Sequence, residues 1–157
     1  MKITFILNGK TEDKYLIDGC SIFEKRLKHY ISFEQIVIPA LKKAKNLSPD
    51  QFKAKEAELM MKHIKTDDVV VLLDEHGKEY TSVGFSDYLQ KQMNAGIKNL
   101  VFIVGGPFGF DEQLRSRANH MLSISKMTFS HQMIRLFFLE QIYRAFTILK
   151  NEPYHNE

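Results

Sequence analysis

Two apolar runs, Val69-Val70-Val71-Leu72-Leu73 and Leu100-Val101-Phe102-Ile103-Val104, limit what this chain can fold into. Neither alternates apolar with polar residues, so a strand made from either must be covered on both faces. Strands of that kind belong to parallel sheets sandwiched between helices. The flanking pattern agrees. Ile3-Thr4-Phe5-Ile6-Leu7 is a short β-rich run closed by the turn dipeptide Asn8-Gly9. Residues 33–38 suit a second strand, stopped by Pro39, and residues 121–124 a short one. Between the strands, helices are predicted over about residues 12–30, 49–63, 82–94, 111–119 and 132–150. Gly19 weakens the middle of the first of these, Ser48 and Pro49 form an N-cap and first position, and Ser82 caps the helix that Gly96 ends. The reading is one α/β domain over residues 1–157, with a mainly parallel sheet and helices on both faces.

The chain has 157 residues, enough for a real core, and 44% hydrophobic with 26% charged residues argues against disorder. A net charge of +3 is compatible with RNA binding without arguing for it. The single cysteine, Cys20, excludes an internal disulfide and a cysteine-based zinc site, and reads as a packed side chain of the first helix. No metal is expected. The first residues read as a strand rather than a signal peptide, and no apolar run approaches the roughly 20 residues needed to span a membrane. A cytoplasmic protein is therefore expected.

The last third of the chain carries most of the functional information. Gly105-Gly106-Pro107-Phe108-Gly109 directly follows a buried strand. It is neither a dinucleotide fingerprint nor a phosphate loop, and reads either as a close approach of a ligand to the backbone or as a tight strand-to-helix turn. At the end of the other buried strand stand Asp74 and Glu75, candidates for a ribose hydroxyl or a cationic ligand, though solvated carboxylates are the default there. His76 reads as a turn residue. Residues 123–131 interleave polar Ser123, Ser125, Lys126, Thr128, Ser130 and His131 with Met127 and Phe129. That pattern suits a loop whose backbone reads a heterocycle, and equally a helix entry capped by Thr128 or Ser130. The final helix is apolar around more than one stripe, which favours a symmetric dimer interface. Arg135 and Arg144 interrupt it, each expected to pair with an acid such as Glu140 or to face anionic phosphate. Pro153-Tyr154-His155 then offers an aromatic and an imidazole suited to stacking on, and hydrogen bonding to, a base.

Taken together, these residues resemble the bacterial large-subunit ribosomal RNA methyltransferases of the SPOUT superfamily that modify pseudouridine at N3. The resemblance runs the length of the chain. It is carried by Leu73-Asp74 with Gly77-Lys78, Val104-Gly105-Gly106 with Gly109, Leu122-Ser123 with Thr128 and His131, residues 140–145, and Tyr154-His155. Two departures stand out: Ser130, where proline is usual and whose presence should loosen the turn, and Leu7-Asn8-Gly9, where a Val-Gly pair is common.

The resemblance implies a homodimer with a C-terminal trefoil knot and an S-adenosylmethionine site formed by Leu73, Gly105, Ile124, Ser125, Lys126, Met127, Thr128 and Phe129. It implies ribosomal RNA within the assembled ribosome as substrate. His155 is then expected to accept or relay the N3 proton, with Tyr154 orienting the base and Arg144 holding phosphate or developing charge; Tyr154 and His155 are expected to serve the partner subunit's active site. His131 is expected to stabilise its loop. Lys42, Lys43 and Lys45, with Arg115 and Arg117, are candidates to grip RNA phosphates. Two competing readings remain: a SPOUT methyltransferase acting on transfer RNA, and a non-catalytic dimeric binding module.

Overall fold

The computed structural model describes residues 1–41 and 46–156. Lys42, Lys43 and Lys45 lie outside the described residues. The elements follow in the order β1 (Lys2–Asn8), α1 (Lys14–Leu27), β2 (Ser32–Ile38), α2 (Pro49–Met61), β3 (Val69–Glu79), α3 (Ser82–Asn94), β4 (Asn99–Val104), α4 (Glu112–Arg117), β5 (His120–Ser123) and α5 (Met133–Leu149). The five strands form one sheet in the order β2-β1-β4-β3-β5, and every pairing is parallel.

The two apolar runs do what their composition demands. Successive side chains of a strand point to opposite faces. Accordingly Val71, Leu100, Phe102 and Val104 enter one core with Ile3, Phe5 and Leu7, while Val70, Leu72, Val101 and Ile103 enter another with Ile6. α1, α3 and α5 cover the first face, where the Phe138 ring lies 4.8 Å from Phe102 and 5.3 Å from Phe5. α2 and α4 cover the second through Ala57, Met60 and Leu114. Each such side chain contributes about 1.5–3 kcal/mol on full burial, so both layers are needed to hold the sheet. Cys20 packs in the first core, and burial pushes its thiol up to about 11.

Local signals placed most helix ends. Ser48 accepts from the Gln51 amide, and the Gln51 side chain accepts from the Ser48 amide, completing a capping box before Pro49. One cap differs from expectation. Thr81, not Ser82, accepts the amide of Gly84 and starts α3. Ser82 is already helical, because either hydroxyl could cap and the chain geometry selects the earlier one.

Arg135 also departs from expectation. Among the described residues it makes no ion pair with an acid. Its side chain is fully buried, with Nη2 donating to the carbonyl of Asn8 (2.7 Å) and Nη1 to the carbonyl of Gly9 (3.0 Å) and Oγ1 of Thr11 (3.1 Å). Nε donates to the carbonyl of His131 at 2.9 Å. One guanidinium therefore joins the end of β1 to the start of α5. Arg135→Met would strand buried carbonyls, at about 1–3 kcal/mol each. The expected loss is at least ~2 kcal/mol in urea unfolding, with Arg135→Lys rescuing little because an ammonium cannot reproduce the planar fork. A loss near zero for Arg135→Met would show that water or apolar packing substitutes for the fork.

Candidate functional site

β3, β4 and β5 bring Leu73, Val104 and Leu122 to one edge of the sheet, and a cleft of about 590 Å³ opens there. That is the edge where ligands bind in open α/β sheets, and the volume is in the range of small-molecule sites. The glycine turn 105–109 forms one side, and the loop 124–131 the other. Leu73, Gly105, Ile124, Ser125, Met127, Thr128 and Phe129 all line the cleft. Lys126, expected among them, is exposed and lies outside the lining.

The acidic lip of the cleft comes from an irregularity in β3. Leu73 and Lys78 both register with Leu122 of β5, so the residues between them bulge from the ladder. Gly77 makes this return feasible. A Cβ at that position would sit 2.6 Å from the backbone of Leu122, which no side chain tolerates. His76 thus belongs to a bulge rather than a simple turn. Asp74 is not the solvated carboxylate expected by default: its side chain is 8% exposed and accepts from Arg115 Nη2 at 2.9 Å and from the His76 amide at 2.9 Å. His76 Nδ1 lies 3.0 Å from the same carboxylate. Burial pushes the Asp74 carboxyl up, but the His76 amide and ring and the Arg115 guanidinium outweigh it, and the net shift is downward. Asp74 is an anion held from inside.

This arrangement reassigns two arginines expected to grip RNA. Arg115 is engaged by Asp74. Arg117 donates to the carbonyls of Lys65 (2.6 Å) and Asp68 (2.9 Å), fixing the loop that leads into β3.

Glu75 reaches across the cleft to accept from Thr128 Oγ1 at 2.5 Å, tying the loop 124–131 to β3. Within the loop Ser125 Oγ accepts from the Met127 amide, and Ser123 Oγ donates to the Ser125 carbonyl. Ser130 does not merely loosen the turn. Its hydroxyl accepts from the Met133 amide at 3.1 Å and caps the first turn of α5. At the end of the loop the backbone carbonyl of His131 accepts from Arg135, a bond that does not involve the imidazole. Burial and then the Arg135 charge push its imidazole pKa down, with Glu12 opposing. Apolar walls at Leu73, Ile124 and Phe129 with carboxylates at the lip suit a ligand that is part flat heterocycle and part cation.

The chain's last residues form a second cluster. Arg144 Nη2 donates to Glu140 Oε1 at 2.6 Å, one helical turn away, as expected of that pair. Tyr154 OH donates to the same oxygen at 2.9 Å, the Arg144 guanidinium lies 4.8 Å over the Tyr154 ring, and Tyr154 packs edge-on against Tyr143 at 4.8 Å. Arg144 Nη1 lies 3.3 Å from His155 Nδ1. Tyr30 OH donates to Glu152 at 2.5 Å and fastens the tail to the end of α1. The tail is therefore built into the fold rather than frayed. Arg144, Tyr154 and His155 come together with one another, but none of the three lines the cleft.

One residue next to the cleft escaped sequence reasoning. Glu56 is 3% exposed, and its carboxyl lies behind Gly106. The available signal was its spacing, which puts it on one helix face with Met60, four residues on.

Comparison with known proteins agrees with this geometry. The family described as "Predicted SPOUT methyltransferase" matches residues 1–155. The chain is similar to a protein of Christiangramia forsetii named ribosomal RNA large subunit methyltransferase H, at 56% identity over 99% of each chain. Proteins of the same name from Parabacteroides distasonis and Flavobacterium johnsoniae are 56% and 52% identical, with both chains covered in full. A parallel sheet with a glycine-turn cleft at its carboxyl edge, and a family match over nearly every residue, make this chain a member of the SPOUT methyltransferase family.

Proposed function

We propose that this protein transfers a methyl group from S-adenosylmethionine to N3 of a pseudouridine in large-subunit ribosomal RNA, acting on the assembled ribosome as a homodimer with a C-terminal trefoil knot. The observation that carries the reading is the pairing of a heterocycle-sized cleft with an ordered Arg144-Tyr154-His155 cluster outside it. The name shared by the full-length relatives supports the choice of ribosomal over transfer RNA.

When bound, S-adenosylmethionine supplies an electrophilic methyl group on a sulfonium. The chain's residues do the rest by placement. Leu73, Ile124 and Phe129 would wall in the heterocycle, the turn at Gly105 would admit it close to backbone, and Glu75 with Thr128 would hold the loop over it. Lys126 has no contact role in this reading, because it stands outside the cleft.

Pseudouridine N3 bears a proton that must leave. A guanidinium only donates, so the His155 nitrogen facing Arg144 is the acceptor of that pair. His155 takes the N3 proton at Nδ1 once Arg144 turns its donors to the RNA, where they stabilise negative charge developing on the base carbonyls. Tyr154, held between Glu140 and Tyr143, gives the base a face to stack on.

The separation of cluster and cleft favours a dimer in which each tail serves the partner's cleft. Exposed apolar residues give that dimer a surface: Tyr15, Ile17 and Ile22 on α1, Phe137 on α5, and Met127 on the cleft loop, with Phe137 against Phe129 at 5.0 Å. RNA phosphates are better served by Lys25, Arg26 and Lys28 than by Arg115 and Arg117. These three are exposed at the end of α1, with no acid within salt-bridge distance among the described residues, and Arg26 lies 5.4 Å over the Tyr143 ring.

Two outcomes are expected. His155→Ala should lower turnover on ribosomes that carry pseudouridine without this methyl by about 10²–10⁴-fold, with S-adenosylmethionine affinity intact in calorimetry. Unchanged turnover would remove the base assignment, and transfer to transfer RNA alone would replace the substrate. Gly105→Val should deform the cleft, because a Cβ there would already crowd the Phe110 ring of the cleft wall at 3.2 Å. Each variant alone should be inactive. An equal mixture that exchanges subunits should recover about a quarter of wild-type activity, since half the dimers carry one intact composite site. No recovery despite confirmed exchange would place the tail's action within its own subunit.

A further inference from the structure

Behind the glycine turn, on the face away from the cleft, lies a carboxyl group that the proposed chemistry does not use. Glu56 of α2 is 3% exposed among the apolar side chains that cover the second face of the sheet. It meets the Asn8 side chain, whose Nδ2 donates to Glu56 Oε1. Asn8 Oδ1 is buried and has no hydrogen-bond partner among the described residues. Both groups press on Gly106. A Cβ at residue 106 would lie 2.6 Å from each Glu56 carboxyl oxygen and 2.9 Å from Asn8 Nδ2.

These facts conflict if Glu56 is ionised. A buried carboxylate with a single side-chain amide donor would be poorly compensated, and Asn8 Oδ1 would stay unsatisfied beside it. A neutral carboxyl removes both problems. Its hydroxyl donates to Asn8 Oδ1 while its carbonyl oxygen accepts from Asn8 Nδ2, closing a two-bond ring between acid and amide. Burial pushes the Glu56 carboxyl up, the Asn8 hydrogen bond opposes it, and no neighbouring charge contributes to the shift.

We infer that Glu56 is a protonated positioning residue, paired with Asn8, that braces the Gly105-Gly106 turn from behind and so shapes the cleft. The part that concerns the cleft rests on the proposed cofactor reading; the protonated pair does not. In this chain the brace occupies the space that a Cβ at residue 106 would need.

The pH consequence has a definite sign. A carboxyl whose pKa is higher in the folded state than in the unfolded one gives stability that is complete below the unfolded pKa. That stability is lost as pH rises through the folded pKa. Cofactor affinity should therefore weaken on the alkaline side as the carboxyl ionises and pushes against the turn.

The test begins without cofactor. An infrared difference spectrum of wild type minus Glu56→Gln, at neutral pH, should show the carbonyl stretch of a protonated carboxyl. Calorimetry with S-adenosylmethionine follows across pH. Glu56→Ala should lose about tenfold in affinity. Glu56→Gln, which can form the same ring with Asn8, should regain most of it and lose the wild type's alkaline weakening. Absence of the protonated-carboxyl band, or equal damage by Ala and Gln, would overturn the inference. Failure of wild type to bind S-adenosylmethionine while the band is present would instead sink the cofactor reading and leave the protonated pair standing.

Discussion

The site depends on a buried cation, Arg135, that makes no ion pair with an acid among the described residues. Arg135 satisfies its charge with carbonyl oxygens, and those carbonyls belong to segments distant in sequence: Asn8 and Gly9 at the end of β1, and His131 at the end of the cleft loop. Burial pulls its pKa down from the ordinary guanidinium value, the direction expected of a cation in an apolar setting. Charge-assisted bonds to carbonyls offset that cost. Asn8 carries the connection further, because its backbone serves Arg135 while its side chain serves Glu56, and Glu56 fills the space behind Gly106. Loop 124–131 and the turn at 105–109, the two sides of the cleft, are thereby joined through the protein interior. Glu75 and Thr128 join the loop to β3 at the surface.

Several charged residues of the cleft, of the loop before β3 and of the tail are committed in pairs or to backbone. Asp74 engages Arg115, Arg117 engages the carbonyls before β3, and Glu140 engages Arg144 and Tyr154. On the proposed reading this pre-organisation is the catalytic contribution of the cleft. Methyl transfer from a sulfonium asks for alignment more than for covalent help, and groups already fixed need no reordering when substrate arrives. The tail is held by a comparable set of bonds. On the same reading, its separation from the cleft is why two subunits are proposed to meet before alignment is complete.

Much of this was legible in the sequence, for identifiable reasons. The unbroken apolar runs at residues 69–73 and 100–104 could only be doubly covered strands, and the observed division of their side chains between two cores follows from alternation alone. Ser48 with Pro49 declared a helix start. The residues named through resemblance line the cleft, except Lys126, which stands outside the lining while Ile124, Ser125, Met127, Thr128 and Phe129 contribute to it. What stayed hidden was partnership across long separations. Arg117 reads as a phosphate ligand until Lys65 and Asp68 are seen beside it, and Asp74 reads as solvated until Arg115 folds against it. Neither partner lies within a helical turn, so no local spacing rule could find it.

Glycine shows the same limit from the other side. Gly77 and Gly106 were both singled out in sequence as motif positions, and in the structure both are sites of close approach. What approaches differs. At Gly77 it is the backbone of β5, so the requirement belongs to the sheet and exists whatever the cleft binds. At Gly106 it is a pair of polar side chains from α2 and β1, so the requirement belongs to a local chemical pairing. A missing Cβ says that something is near and leaves its identity open. The glycine turn of this cleft is therefore shaped from two directions, by whatever it receives in front and by the Glu56-Asn8 pair behind. Only the first would be suspected from a motif.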